Sequence, residues 1–430
     1  MASYFNLEYN QFDVTNTFPH ASLDDDDEVL IHYPEGFENQ GRLLRVLKAL
    51  YGLSASPRLW YNHLSKTLEK FGLKCVPESG CIFTNDKLIV CFYVDDIVVF
   101  YHMNNRPVFE ELKNTLFEVY TIRDLGELKW FLGLRIIRDR NIRKMWLVQD
   151  SYIEKKAKEF KRLDGRGNLI NTAPKTPMST QEIKSGDGKA NTFQIHEYQR
   201  FVGSLTYAAV VSRPDIAKAT QKLAEAQNNP SPEHLTAAEK LLDYLYETRF
   251  LALEYGMDIN EGPVFIAASD ASFGDDCSSR VSSEARLFKL FGGTIDYAAK
   301  KQTTVTTSST EAELLALSHT ASWLIWWRRF FDNISLSLDE DPTIWCDNLQ
   351  TVRLMMKDSP KLVTKLKHVD IHSHWLRQET LKGNIKIEWI QTAKIPADGL
   401  TKCLSEQKHK NFLRQLNMID IRSKMAEYQD

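Results

Sequence analysis

No stretch of the chain approaches the ~20 consecutive apolar residues that a bilayer-spanning helix needs, and the longest oily run is broken by Asp95 and Asp96. The opening residues, MASYFNLEYNQFDV, lack both the basic and the apolar region of a secretory leader. The six cysteines, at 75, 81, 91, 277, 346 and 403, include no C-x-x-C pair. That argues against zinc and for reduced thiols in an intracellular, cytoplasmic protein with no membrane partner. A surplus of positive charge is missing as well. Lys and Arg number 54 against 57 Asp and Glu, a formal net charge of −3, so the total carries no basic footprint for nucleic acid. No internal repeat is present, which sets solenoids aside.

What is present is ordinary globular composition, 43% hydrophobic and 26% charged over 430 residues, enough for two or three domains. The charge is uneven. SLDDDDEVLIHYPEGFE is acidic, whereas RIIRDRNIRKMW and EKKAKEFKRLDGRGN are basic, a local stripe that fits either phosphate binding or a solvated face. Up to about residue 160, short apolar runs alternate with amphipathic stretches, an α+β or α/β signature. PRLWYNHLSKTLEKFG predicts a helix that stops at Gly72. LIVCFYV and IVVFY predict a hairpin with Asp95 and Asp96 at its tip. A polar, Gly- and Pro-containing linker follows from Arg162, then three helical segments, the last opening at Ser231-Pro232-Glu233. A fresh strand, PVFIAASDASFG, begins a second α/β region.

Two adjacent carboxylates about 4 Å apart repel by roughly 4 kcal/mol at an effective dielectric of about 20, against a domain stability of about 5–15 kcal/mol. Either water at the hairpin tip relieves that cost, or divalent cations do, with a third acid completing the site. Asp13, in NQFDVTNTF, is the candidate third acid. Four further acids are scattered in AASDASFG, SSTEAELLAL, IWCDNLQTV and IPADGLTK. In SSTEAELLA, Ser308 and Glu311 form a capping box, with Thr310 and Glu313 as a second register; one glutamate caps while the other points at a site. His368, His372 and His374 have ligand-like spacing but read better as hydrogen-bonded histidines. Trp323, Trp326 and Trp327 read as core.

QFDVTNTF, LKALYGLSASPRLWY, FYVDDIVVF and DLGELKWFLGL, in that order, resemble the polymerase region of copia-like retrotransposon Pol polyproteins. KKQTTVTTSSTEAE, KHVDIHSHWLRQE and ADGLTKCL resemble the ribonuclease H domain that follows it in the same family. The resemblance implies a palm site on Asp13, Asp95 and Asp96, with Phe18, Tyr51 and Gly52 at the nucleotide and Phe131, Leu132 and Gly133 gripping the primer. It implies a nuclease site on Asp270, Glu313, Asp347 and Asp398. Asp13, Asp95 and the four nuclease acids are the implied metal ligands, taking two Mg²⁺ per site, with Mn²⁺ as a substitute. The implied partners are an RNA template, a DNA primer, deoxynucleotide triphosphates and an RNA–DNA hybrid.

The implied architecture is a polymerase palm at 1–165, a linker and helical connection at 166–260, and a ribonuclease H-like α/β domain at 261–430. Arg213 and Lys218 are candidate phosphate contacts in the connection. Only twelve residues precede Asp13, none of them Lys or Arg, so the expectation is a palm without its fingers and little DNA synthesis. Ser54 and Ala55 stand where the family usually carries Lys and Gln. The expected function is RNA-directed DNA synthesis with hybrid cleavage, the nuclease being the competent half. The alternative is an inactive relic or a non-catalytic nucleic-acid-binding module.

Overall fold

The computed structural model describes the chain apart from residues 24–27, 35, 38–42, 182, 184–187, 257–261, 276–278, 339–340, 357–366 and 426–430. The acidic run at 24–27, Cys277 and the side chain of His368 therefore lie outside the described residues. Among them, no helix is long and apolar enough to cross a membrane. The chain divides into two compact units, Met1–Phe131 with Arg329–Ser337, and Leu132–Arg328 with Leu338–Asp430.

In the first unit, alternation along β1 (Glu8–Val14) sends Phe12 and Val14 to the core and Gln11 and Asp13 to the other face. After a small ribbon, β2 (Leu30–Ile31) with β3 (Leu44–Arg45), comes helix α1 (Ser56–Lys70). Its buried stripe is Trp60, Leu64 and Leu68, at a spacing of four. Gly72, at φ +93°, supplies the left-handed residue just past its end. Strands β4 (Lys74–Val76), β5 (Ser79–Thr84), β6 (Leu88–Tyr93) and β7 (Asp96–Tyr101) form an antiparallel meander. Helix α2 (Arg106–Val119) leads to β8 (Ile122–Glu127) and the two-residue β9 (Trp130–Phe131). The sheet order is β4-β5-β6-β7-β1-β8, with β1 between β7 and β8. Both helices share one core with Phe12, Phe83, Val90, Ile97 and Val99. Asp13 and Asp96 lie on the other sheet face, with the buried Tyr9, Gln11 and Val98.

The second unit opens with the hairpin β10 (Leu134–Asp139) and β11 (Lys144–Val148), followed by α3 (Asp150–Glu159). Helices α4 (Thr192–Val211), α5 (Ala217–Ala224) and α6 (Pro232–Glu247) match the three helical segments of the sequence and bury Tyr198, Val202, Leu223 and Leu241 together. Ser231 caps α6, accepting from the His234 amide at 3.4 Å while the His234 ring accepts from the Ser231 amide. Strand β12 (Leu251–Tyr255) then pairs with β11, Met145 opposite Tyr255, in a sheet that runs β18-β12-β11-β10. This pairing ties residues 132–165 to the second unit, whereas the sequence reading draws its first boundary at 165.

A further sheet has the order β15-β14-β13-β16-β17. Strands β13 (Phe265–Ser272), β14 (Ser283–Leu290) and β15 (Gly293–Lys301) are antiparallel. Strands β16 (Thr343–Cys346) and β17 (Lys386–Trp389) run parallel to β13. Helices α7 (Ser309–Asn333), α8 (Leu349–Leu354) and α9 (Lys367–Leu381) connect these strands. The chain then adds the one-turn α10 (Asp398–Thr401), α11 (Glu406–Gln415) and β18 (Met418–Asp420). Because β13 and β16 are parallel neighbours, their carboxyl ends open side by side, where crevices in α/β sheets form.

Two acidic candidate sites

In the first unit the strand register sets Asp13 directly opposite Asp96. Asp95 sits in the two-residue turn between β6 and β7, and its carbonyl accepts the Val14 amide at 2.9 Å. So the hairpin tip and the end of β1 meet. Val94, the first turn residue, has φ +54°, a region a β-branched side chain rarely enters and which hairpins of this length give to glycine. The buried Trp60 holds the tip, its indole N–H donating to the Val94 carbonyl at 2.7 Å. Gln11 donates to Asp96 Oδ1 at 2.8 Å. Partial burial pushes the Asp96 carboxyl above the usual carboxylate range, and the charges of Asp95 and Asp13 add to it.

Phe18 packs edge-on against Tyr51, ring centroids 4.7 Å apart, with Tyr51 exposed and Gly52 at φ +96°. Phe131 ends β9, while Leu132 (φ +49°) and Gly133 (φ +78°) make the turn that opens the second unit. That turn is braced from α4, where the Tyr207 hydroxyl donates to the Leu132 carbonyl at 2.9 Å.

In the second unit Asp270 lies near the carboxyl end of β13, Asp347 just past the end of β16, and Glu313 on the first turns of α7. Each offers an oxygen within 4.8 Å of the other two. Glu311 takes the capping role instead, accepting from the Thr307 amide and hydroxyl at 2.8 and 2.7 Å, while Ser308 accepts the Glu311 amide. The second register, with Thr310 as cap, is not the one adopted. Asp398, at the start of α10, stands outside the 4.8 Å group but is joined to it. Lys402 Nζ bonds Asp398 Oδ1 and lies 3.9 Å from Asp270 Oδ2, which also accepts from the Thr401 hydroxyl.

Burial pushes the Asp270 carboxyl up to about 6, with Asp347 and Asp398 contributing and Lys402 and Thr401 opposing. Burial also pushes Glu313 up to about 9, helped by the charges of Asp270 and Asp347. Glu313 Oε2 is a buried oxygen with no hydrogen-bond partner. A bare carboxylate oxygen aimed into a knot of acids fits a hard divalent cation, whose ligands are oxygens.

Sequence reasoning passed over Gln11, Trp60, Thr401 and Lys402. Only the last two left a signal: in ADGLTK they follow Asp398 by three and four residues, one helical turn. Arg213 is not a phosphate contact. It is fully buried and bidentate to Asp215 at 2.7 and 2.8 Å, with two further bonds to the Thr248 carbonyl and hydroxyl. Lys218 is buried too, donating to Asp275 at 3.0 Å and Ser283 at 2.7 Å. Much of the expected basic stripe is likewise ion-paired, Arg135 with Asp150 and Arg162 with Asp243.

Residues 1–174, which hold Asp13, Asp95 and Asp96, match the family described as reverse transcriptase (RNA-dependent DNA polymerase). Over 423 residues the chain is 31% identical to the retrovirus-related Pol polyprotein from transposon TNT 1-94 of Nicotiana tabacum, covering 95% of this chain and 31% of that protein. The homologues that match over most of the chain are thus retrovirus-related Pol polyproteins of copia-type transposons, and residues 1–174 carry a reverse transcriptase domain. A second Pol relative, from transposon RE1 of Arabidopsis thaliana, is 30% identical over 96% of the chain and 27% of its own length. The chain thus spans under a third of these Pol proteins. Among solved structures, a ribonuclease H1 in complex with RNA/DNA hybrid aligns with 32% of the chain and 92% of its own. Its TM-score of 0.25 at 18% identity is too slight to bear on function.

Proposed function

We propose that this Pol segment is a reverse transcriptase joined to a ribonuclease H, and that Asp270, Glu313, Asp347 and Asp398 form the nuclease site that cuts the RNA strand of an RNA–DNA hybrid. The observation that carries the reading is the convergence of three carboxylates from separate elements within 4.8 Å, one with a buried, unpartnered oxygen. Asp270, Glu313 and Asp347 would hold Mg²⁺, two ions with Asp398 completing the set and Mn²⁺ as a substitute. When bound, such ions supply an activated water and neutralise charge at the phosphate. Thr401 fixes the orientation of Asp270 by its hydroxyl bond. Lys402 does the same for Asp398, while its charge offsets part of the repulsion among the acids.

The polymerase reading rests on the register that joins Asp13 to the Asp95–Asp96 hairpin, as ligands for a second Mg²⁺ pair. Phe18, Tyr51 and Gly52 would line the deoxynucleotide triphosphate, and Phe131 to Gly133 the DNA primer on its RNA template.

The nuclease test is incubation of the chain with an RNA–DNA hybrid and Mg²⁺, beside Asp270→Asn and Asp347→Asn. Cleavage by the unmodified chain and a loss of at least about 100-fold in both variants is expected; equal products from all three would reject these acids as catalysts. Primer extension beside Asp95→Asn tests the palm. Synthesis that survives the substitution would sink that assignment.

A further inference from the structure

The motif ADGLTK sets a lysine one helical turn after an acid, and the fold turns that spacing into a contact. The single turn α10 is clamped from within. Ala397 and Leu400 are fully buried, and a Cβ added at Gly399 would lie 2.5 Å from the Phe412 ring. With the backbone held on both sides, the side chains of Asp398 and Lys402 are the parts free to move.

The ammonium of Lys402 reaches two acids at once. It bonds Asp398 Oδ1 and lies 3.9 Å from Asp270 Oδ2. The remaining acids, Glu313 and Asp347, meet Asp270 within 4.8 Å, and there Glu313, 6% exposed, keeps an oxygen without a partner. The four acids therefore divide. Asp270, Glu313 and Asp347 are open to a cation, whereas the position between Asp270 and Asp398 holds one that belongs to the chain itself. That resident cation has somewhere to go. Its side chain is 43% exposed, against 1% for Asp270. Lys402 also lines a cavity of about 680 Å³ that includes the carboxylates of Glu225 and Asp275. Its flexible four-carbon stem lets the charge swing that way while α10 stays in place.

Resting on the nuclease reading above, we infer that Lys402 is a built-in competitor of the second divalent ion, occupying the position between Asp270 and Asp398 until it is displaced toward the cavity. The chain then takes a first ion readily and a second only at higher concentration, so cutting is held back until both are available. A position vacant about a tenth of the time binds about tenfold more weakly than one that is always vacant.

The test is a Mn²⁺ titration without nucleic acid, read by the EPR signal of the free ion. It uses the full chain carrying Asp13→Asn and Asp95→Asn, which removes the acids of the first unit from the count. Two unequal affinities are expected. Lys402→Met should tighten the weaker one about tenfold and the stronger one by less, whereas Lys402→Arg should keep both steps. In EDTA, Lys402→Met should melt below its parent, and saturating Mn²⁺ should close that gap. Should Lys402→Met be unfolded without metal, Lys402→Gln, which keeps a donor for Asp398, takes its place. A second step that is unchanged, or weaker still, without the ammonium would overturn the inference. A lysine that only orients Asp398 would aid the ion instead of opposing it. Binding that needs Asp270 and Asp347 yet ignores Lys402 would overturn this inference alone. Binding that also ignores Asp270→Asn would overturn the nuclease reading with it. Two Lys402-dependent steps beside no cleavage of a hybrid would overturn the nuclease reading and leave the competition standing.

Discussion

Asp13 and Asp96 face each other across two strands at half-buried positions, whereas Asp270 and Glu313 are 1% and 6% exposed. Both sites gather carboxylates, yet they manage repulsion by different means. At the hairpin, water reaches the exposed Asp95 and Gln11 bonds Asp96, so charge is tolerated and geometry is the demanding part. At the buried cluster of the second unit, burial withholds water, and the acids must keep a proton, borrow Lys402 or take a cation. The first site depends on its scaffold and the second on what fills it.

The sharpest way to break that contrast is to remove the scaffold. Trp60 is 2% exposed and anchors the strained tip through the Val94 carbonyl. Trp60→Ala should cost the first unit about 3–5 kcal/mol, read by urea unfolding. A loss under about 1 kcal/mol would show that the tip holds itself.

For the second site the expected sign is opposite. Glu313→Gln removes a carboxyl that stays protonated up to about pH 9 in the folded chain but has an ordinary value of 4.5. At pH 8 in EDTA the substitution should stabilise by about 2–4 kcal/mol, discounted from 1.36 kcal/mol per pKa unit. Saturating Mg²⁺ should erase the gain, since cation binding then stabilises only the unmodified site. Destabilisation in EDTA would mean that the carboxyl is satisfied by a partner.

The same shifts set a pH dependence. Groups whose folded values are raised contribute most below their unfolded values and lose that contribution as pH climbs through the folded ones. For Asp270 and Glu313 the unfolded references are 3.8 and 4.5 and the folded values about 6 and about 9. Metal-free stability should therefore fall between about pH 4 and pH 9, with the upper part of the fall missing in Glu313→Gln. A curve that rises over this range would contradict the assignment.

How much of this could be read from the chain divides along the same line. Local chemistry was legible: the hairpin around Asp95, the helix ending at Gly72, and the capping box that frees Glu313 by occupying Glu311. Long-range pairing was not. LALEY carries Glu254 where a strand pattern wants an apolar residue, and its partners, Lys144 and the Trp146 indole at 2.8 Å, lie more than a hundred residues away. Other contacts that tie 132–165 to the later chain are also distant in sequence, among them Arg162 to Asp243 and Tyr207 to the Leu132 carbonyl. Lys218 looked like a free cation because Asp275 is 57 positions distant. Val94 has no sequence signature for a left-handed turn, since the strain is imposed by Trp60 and β1.

The smallest expected effect is the one that best isolates the first site. Asp96 is raised by partial burial and by its two acidic neighbours, with Gln11 opposing. Its exposure lets solvent screen most of that repulsion. Asp96→Asn keeps the Oδ1 acceptor for Gln11 and removes one charge, so unfolding free energy should move by less than about 1 kcal/mol between pH 5 and 8. A stabilisation as large as that of Glu313→Gln would mean that the hairpin acids are as starved of water as the buried cluster around Glu313. In that case the two sites would both require a cation to fold well, and the distinction between scaffold and occupant would fail.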